Sequence, residues 1–551
     1  MRLLMVALAL WAGVAAAGRS LRDAAATGGD DGFAAAKAEF LKKYPGYAYP
    51  DADATVDELW VSEGLEGRYG NRSYFDYAAS APYWNSTVNN AGEVTDLCPS
   101  IHPREQDYLT HDYTSNSPSS KEAIDALRNA TLQFFGADPA EYLCVWTRSA
   151  SGSLQSVGNI FPFTKASRFA YLQGSHQSLL AIRGNAQELG ATYGVVTAEQ
   201  VDKWLDKPKK DDKYAKGNGT TYHLFAYPTM DNLNGELHPM EWVTKVKERS
   251  TDKNKWLVLA DTTAHVITKP LNLSSTPADF ATVSFYKMTG YPTGVGALIM
   301  RKEVAAAMNP VFSTGGPRAP ALDWRVLSDG AARFEDGTLP YLNIIAVRQV
   351  LATYKRLGGP QAVDSHTAPL KTWLYDQASA LKHSNGKPLL QINSPSGEGA
   401  TVNFNVLDPN GEYFGYQDIA KALGAAGVDV GKGCFANPGS CYASVGLKDD
   451  EVFQVTAQNN NTAQEWAVVT RVVDGKPKQV RLPIGTMRAS MGFMSRFEDV
   501  WKLVKVLKET YTDKTVDVTT GENVVVPELE AANAAKPIRL PGPDCVLQGR
   551  C

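Results

Sequence analysis

The sequence lacks a concentrated charge of one sign. Its 55 basic and 59 acidic side chains leave a net charge of only -4 over 551 residues. A nucleic-acid partner demands a basic surface, so none is expected. After the first residues it also lacks any uninterrupted run of about 18 or more apolar residues, the length a membrane helix needs, which argues against a membrane-embedded body. There is no internal repeat and no low-complexity or aromatic excess, so solenoid and fibrous architectures drop out. The one charge-rich run, Asp206 to Lys216, mixes both signs and reads as a solvated loop. What remains is ordinary for a soluble globular chain, 44% hydrophobic and 21% charged. The length exceeds what one core organises, so two or three domains are expected.

The first residues carry a different message. Met1-Arg2 precedes an apolar run from Leu3 to Val14 and then Ala15-Ala16-Ala17-Gly18. A basic start, a short apolar core and small residues at a cleavage site describe a secretory signal peptide, with cleavage expected after Ala17. The six cysteines, Cys98, Cys144, Cys434, Cys441, Cys545 and Cys551, are an even number, as a disulfide-permissive compartment allows. Cys434 with Cys441, and Cys545 with Cys551, are close enough in sequence to close small loops. Glycosylation triplets start at Asn71, Asn85, Asn129, Asn218, Asn272 and Asn460. The chain shows no Lys-Asp-Glu-Leu-type retention signal at Cys551. The expected destination is the exterior or an endomembrane lumen.

From about Tyr74 to Lys302, β-type runs alternate with helical patterns, as α/β layers do. Ser119 to Glu122 fits a capping box, followed at helical spacing by Ala123, Leu127, Ala130 and Phe134. Trp256 to Ala260 is apolar without alternation, the mark of a strand buried on both faces, and it ends on Asp261. A strand over Phe280 to Phe285 stops just before Lys287; Gly290, Gly294 and Gly296 then lead into the apolar run Ala297 to Met300. After Leu339 come a long helix, broken α/β segments and a final helix. That helix starts at a second capping box, Ser495 to Glu498, with Val500, Val504, Leu507 and Tyr511 on one face. The expected division is a signal peptide (1–17), an N-terminal segment (18–69), a large domain (70–338), a small C-terminal domain (339–515) and a proline-punctuated tail (516–551).

In α/β folds ligands gather at the carboxyl ends of strands, where this reading puts both Asp261 and Lys287. A lysine there can form a Schiff base with an aldehyde cofactor, and an acid can keep a pyridinium protonated. Pyridoxal phosphate needs that pair. Thr147-Arg148-Ser149-Ala150-Ser151-Gly152, after the apolar Leu143 to Trp146, offers small residues and backbone N–H groups to a phosphate.

The segment Ser284-Phe285-Tyr286-Lys287-Met288-Thr289-Gly290-Tyr291-Pro292-Thr293-Gly294-Val295-Gly296 resembles the lysine segment of molybdenum cofactor sulfurases, cysteine-desulfurase relatives in the class-V aminotransferase superfamily. Tyr74-Phe75-Asp76-Tyr77-Ala78-Ala79-Ser80, Phe225-Ala226-Tyr227-Pro228, Phe334-Glu335-Asp336-Gly337-Thr338 and Met487-Arg488-Ala489-Ser490-Met491-Gly492-Phe493-Met494-Ser495 match in family order, so the likeness spans about residues 70 to 510. It implies fold type I: a large, doubly wound, mainly parallel sheet domain with a smaller α/β domain. It implies that Lys287 bears pyridoxal phosphate, with Asp261 on the ring nitrogen and His176 against the ring face. Asn232 would reach toward the ring hydroxyl, and Ser151, Ser284 and the Ala150 backbone would bind the phosphate. Arg488 would grip the carboxylate of a small amino-acid substrate. Such enzymes usually dimerise, which makes a homodimer the expectation.

Three departures qualify the likeness. Sulfurases carry their sulfur-accepting cysteine in the middle of a loop that here reads Gly433-Cys434-Phe435-Ala436-Asn437-Pro438-Gly439-Ser440-Cys441, with Ala436 at the middle position. Cys434 or Cys441 could replace it if the loop swings, or the two could be joined as a disulfide. Asp261-Thr262-Thr263-Ala264-His265 lacks the glutamine that simpler desulfurases place three residues on. The chain also ends where sulfurases continue into a further domain. The expected activity is cleavage of the C–S bond of cysteine or a related amino acid. Transamination, epimerisation, or a non-catalytic protein that kept the fold are the alternatives.

Overall fold

Local sequence sets the first helices. The computed structural model describes residues 31–92, 117–207, 219–310, 327–397, 399–448, 450–452, 465–473, 476–516 and 542–548. The expected signal peptide, Cys98, Cys551, Asn218, Asn460, most of the charge-rich run and most of the tail lie outside these residues. Helix α1 (Asp31–Lys43) is followed by α2 (Val56–Ser62). Thr55 Oγ1 accepts the Glu58 N–H at 3.3 Å while the Glu58 carboxylate accepts the Thr55 N–H at 2.9 Å, so the start of α2 is closed reciprocally. Strand β1 (Ser73–Phe75) comes next. Helix α3 (Pro118–Phe134) buries Ile124, Leu127 and Leu132. Its cap is Ser117, whose hydroxyl accepts the Ser120 N–H at 3.2 Å. The box expected from Ser119 is displaced because Pro118, with no N–H and a fixed φ, takes the first helical position.

The large sheet follows: β2 (Tyr142–Thr147), helix α4 (Ala150–Ile160), β3 (Arg168–Leu172), helix α5 (Gln177–Leu180), β4 (Thr192–Val196), β5 (Thr221–Pro228), β6 (Asn254–Asp261), β7 (Phe280–Ser284), helix α6 (Phe285–Thr289) and β8 (Gly296–Arg301). Its order is β2-β8-β7-β6-β5-β3-β4. The stretch from β4 to β7 is parallel, and β8 runs antiparallel to both β7 and β2. Helices cover both faces, so every position of β3 and β7 is buried. The period of two sorts side chains between two cores. Phe225, Tyr227, Val258 and Ala260 enter one, and Leu224, Ala226, Leu257 and Leu259 the other.

Helices α7 (Tyr341–Arg356) and α8 (Pro360–Ala380) lead to the second unit. It contains β9 (Leu390–Ile392), β10 (Thr401–Val406), β11 (Val428–Gly433), helix α9 (Pro438–Ser444), the hairpin β12 (Trp466–Val473) and β13 (Lys476–Pro483), β14 (Thr486–Ser490) and helix α10 (Phe497–Tyr511). Its five-stranded sheet runs β1-β11-β14-β10-β9. Strand β1 therefore leaves the expected large domain: Ser73–Phe75 pairs in parallel with Val428–Val430. Helix α1 joins the same core, where Phe40 meets Leu370, Leu374 and Phe497. The expected cap of α10 shifts by one residue. Asp499 accepts the Arg496 N–H at 2.9 Å, while the Ser495 hydroxyl accepts the Gly492 N–H at 3.0 Å and shapes the preceding turn. No helix among the described residues is long and apolar enough to cross a membrane.

Candidate active site

Lys287 rides on α6, the five-residue helix that continues β7. Gly290 ends that helix at φ +77°, where a Cβ would meet Ala81 O and Tyr83 N at 2.5 Å; only glycine lets the 81–83 segment close over the turn. The lysine is half-buried and makes no hydrogen bond or ion pair with the described residues. Burial pulls its pKa below the ordinary lysine value, with repulsion from Arg488 adding to the fall and Asp261 and Asp76 opposing it. Asp261 ends the neighbouring strand β6. Thr282 Oγ1 and the Thr263 N–H both donate to its Oδ1, at 2.8 and 3.1 Å, which leaves Oδ2 for an incoming donor. His176 caps α5, its Nδ1 accepting the Ser178 N–H at 3.1 Å. Burial, ahead of the attraction of Asp261 and the repulsion of Lys287 and Arg488, lowers its pKa and keeps the ring neutral near pH 7. His176 thus feels the charges of Asp261, Lys287 and Arg488, and Lys287 those of Arg488 and Asp261.

The residues expected at the phosphate lie on the β2–α4 turn and at the end of β7. Ser149 caps α4 by accepting the Gly152 N–H at 3.1 Å. Ser151 Oγ and Ser178 Oγ are 2.7 Å apart, and Ala150 opens the helix behind them. Ser284 is buried and pairs in the sheet with Gly296. A Cβ on Gly296 would come within 2.6 Å of the Ser149 carbonyl carbon, so glycine there brings Ser284 and β8 up against the turn. The donor set suits a phosphate at a helix start.

Asn232 and Arg488 are both engaged with other parts of the protein. Asn232 is spent on the loop that carries Ala436: its Nδ2 donates to Phe435 O at 2.8 Å and its Oδ1 accepts from Asn437 Nδ2 at 3.1 Å. Arg488, on β14, is already engaged, its Nη2 bonded to Asp76 at 2.6 Å and its Nη1 to Asn232 O at 2.8 Å. The Phe435 ring covers the guanidinium at 4.0 Å, and the side chain is only 3% exposed. Of the alternatives for the loop cysteines, Cys434 and Cys441 are joined. Cys545 is disulfide-bonded as well, and Cys144 is a buried free thiol pushed up to about 12 by burial.

Sequence reasoning assigned no role to Asp76, Asp231, Phe435 or Asn437. Asp231 is buried and accepts bonds from Leu233 N, Asn234 N, Asn437 Nδ2 and the Ser440 hydroxyl, while burial raises its pKa. Asp76 stood inside a matched motif, so its importance was legible although its partner was not. A cavity of about 310 Å³ opens beside Asp231, lined by Gln173, Glu236, His238, Asn393 and Ser440; none of Lys287, His176, Asp261 or Arg488 borders it.

The class-V aminotransferase model matches residues 73–503, from β1 into α10. The chain belongs to that family. Among class-V relatives, the molybdenum cofactor sulfurase of Oryza sativa subsp. japonica is 30% identical over 529 residues, covering 88% of this chain and 61% of its own length. That of Bos taurus is 30% identical over 517 residues, covering 89% and 56%. The chain therefore spans roughly 60% of these relatives. Similar solved folds include a cysteine desulfurase from Thermococcus onnurineus NA1, with a TM-score of 0.60, 19% identity and coverage of 82% of this chain and 97% of that one. The cystine C–S lyase C-DES, in complex with cysteine persulfide, gives 0.56 and 16%, covering 81% and 99%. Another C-DES structure holds glycine covalently linked to its PLP cofactor. The fold is that of PLP-dependent fold type I.

Proposed function

We propose that this class-V chain holds pyridoxal phosphate on Lys287 and cleaves the C–S bond of cysteine or a related small amino acid by β-elimination. The observation that carries this reading is the unpaired Lys287 amine, set among Asp261, His176 and Arg488 at the strand ends. The cofactor fits this donor set. Lys287 would supply the amine for its aldehyde, Asp261 Oδ2 would accept a hydrogen bond from the protonated ring nitrogen, the neutral His176 ring would lie against its face, and the Ser149–Ser151 turn with Ser284 would take its phosphate. When bound, the protonated ring supplies an electron sink for the pair released at the substrate's Cα.

Each side chain then has a defined task. Lys287, its pKa pulled below the ordinary lysine value by burial, is placed to act as the base for the Cα proton once it is free of the cofactor. Asp261 keeps the ring nitrogen charged. Arg488 would bind the substrate carboxylate and so orient the substrate. Ala436, at the position where sulfurases carry their sulfur-accepting cysteine, cannot take sulfur. Elimination needs no protein thiol, which favours a lyase over persulfide transfer.

Loading the protein with pyridoxal phosphate and adding L-cysteine should release sulfide and pyruvate in equal amounts, and Lys287→Ala should release neither. Alanine in place of pyruvate would mean desulfurase chemistry, and no sulfide from a loaded protein would sink both. We further read the mature chain as an exported homodimer that begins after Ala17. The surface positions of Asn71, Asn85, Asn129 and Asn272 and the two disulfide-bonded sites support export. N-terminal sequencing of secreted material, with a glycosidase mass shift, tests it; an intact Met1 would refute it.

A further inference from the structure

The loop from Gly433 to Cys441 is built to stay where it is. Phe435 and Ala436 both stand at positive φ, 52° and 54°, a conformation side chains disfavour unless their surroundings hold them. Three fastenings do so on the large-domain side. The Gln177 N–H donates to Ala436 O at 2.6 Å, one residue from His176. Asn232 Nδ2 donates to Phe435 O at 2.8 Å. Asn437, fully buried, donates to Gly174 O and Asp231 Oδ1 at 3.1 and 3.0 Å. On its own side the loop is tied by the Cys434–Cys441 disulfide, with Cys441 buried and Cys434 half-exposed.

These fastenings hold Phe435 over Arg488. Two edges of the guanidinium are taken by Asp76 and Asn232 O, and its Nε is buried with no partner. One broad face of the guanidinium lies under the Phe435 ring at 4.0 Å. With the side chain only 3% exposed, approach to Arg488 from the loop side is closed while this ring is in place. We infer that Phe435 is the gate of the substrate carboxylate site and that the Cys434–Cys441 disulfide is its latch, so that a thiol reductant opens the site. This rests on the proposed role of Arg488.

The step balances. A dithiol reductant exchanges with the bond, becomes a disulfide itself, and leaves Cys434 and Cys441 as two thiols; Cys434, the more exposed sulfur, is the one attacked first. With the bond gone, the strained 435–436 backbone is restrained only by its hydrogen bonds. Closing a loop of this length restricts an open ensemble by up to about fiftyfold, and reduction returns that freedom. A substrate bearing a free thiol unlatches its own site, two such molecules leaving as the oxidised dimer.

The experiment uses the full pyridoxal-phosphate-loaded protein, oxidised or treated with a phosphine reductant that brings neither amine nor thiol. Two quantities are read: hydrogen exchange at the Gln177 amide, and the dissociation constant of L-alanine, whose carboxylate binds but which has no sulfur to lose. Reduction should speed Gln177 exchange and tighten alanine binding by about tenfold or more. Oxidised Phe435→Ala, with its disulfide verified by thiol alkylation, should bind alanine as tightly as the reduced wild type. If exchange at Gln177 is the same in both redox states, the latch is wrong, whatever alanine does. If exchange rises but alanine binds equally in every form, Phe435 is no gate. If alanine binds to no form at all, the assigned role of Arg488 falls and the substrate side of this proposal falls with it.

Discussion

Glu335 joins the motif Phe334–Thr338 to the strand that feeds the phosphate turn, and replacing it should weaken both fold and site. Arg128, on α3, donates through Nη1 and Nη2 to its two oxygens at 2.6 and 2.8 Å. The Trp146 N–H on β2 donates to the same carboxylate at 2.8 Å. The two side chains are 15% and 5% exposed, so solvent screens the pair little. Glu335→Ala leaves a buried guanidinium with only the exposed Asp125 at 3.4 Å as countercharge, a loss of about 3–5 kcal/mol. It also orphans a strand N–H, worth about 1–3 kcal/mol, part of which is the same energy counted twice. We expect a total near 4 kcal/mol, with Glu335→Gln costing about half because its carbonyl still accepts. Urea unfolding of wild type, Glu335→Ala, Arg128→Met and the double variant should give a coupling of about 2 kcal/mol or more. Because β2 runs directly into Ser149, Glu335→Ala should also weaken pyridoxal phosphate binding. A loss under about 1 kcal/mol, or additive single variants, would refute this reasoning.

Other consequences can be measured alongside. Asp76→Ala strips Arg488 of its one ion pair among the described residues and should cost about 2–3 kcal/mol in a denaturant series; an unchanged midpoint would show that Arg488 finds compensation elsewhere. Asn437→Ala removes a fully buried side chain bonded to Gly174 and Asp231 and should cost about 2–4 kcal/mol while loosening the 433–441 loop to proteolysis. His366 lies between Tyr47 and Tyr49, with Nδ1 accepting the Ala48 N–H and Nε2 facing Ser495 O, and burial pushes its pKa down to about 3. The unfolded chain takes up that proton near pH 6.5 and the folded chain only near 3. Stability should therefore fall by about 1.4 kcal/mol per pH unit as pH drops through that window. In His366→Phe the acid slope should be smaller by one proton, and an unchanged slope would contradict the assignment.

The parts of this structure legible in the sequence are those decided by neighbours along the chain. Trp256–Ala260 declared a two-faced strand, and Asp261 and Lys287 followed their strands onto one edge, because burial and strand ends are local properties. Helix starts were legible to within a residue or two, with Pro118 and the Gly492–Ser495 turn shifting the caps. Long-range choices were not legible. Nothing near Ser73–Phe75 says that β1 joins a sheet formed over 350 residues later. Nothing near Phe435 says that it stacks on Arg488, or that Asn232 turns from the expected ring to the loop. Those contacts depend on the packing of one unit against the other, where spacing along the chain carries no signal.

The most direct test of the account is the absorption spectrum of the purified mature protein with and without pyridoxal phosphate, beside Lys287→Ala. The account predicts a visible, yellow imine band in the wild type that the variant lacks at every cofactor concentration. A protein that shows no band under any condition, or a Lys287→Ala variant that keeps it, would contradict the assignment of Lys287 as the cofactor's anchor.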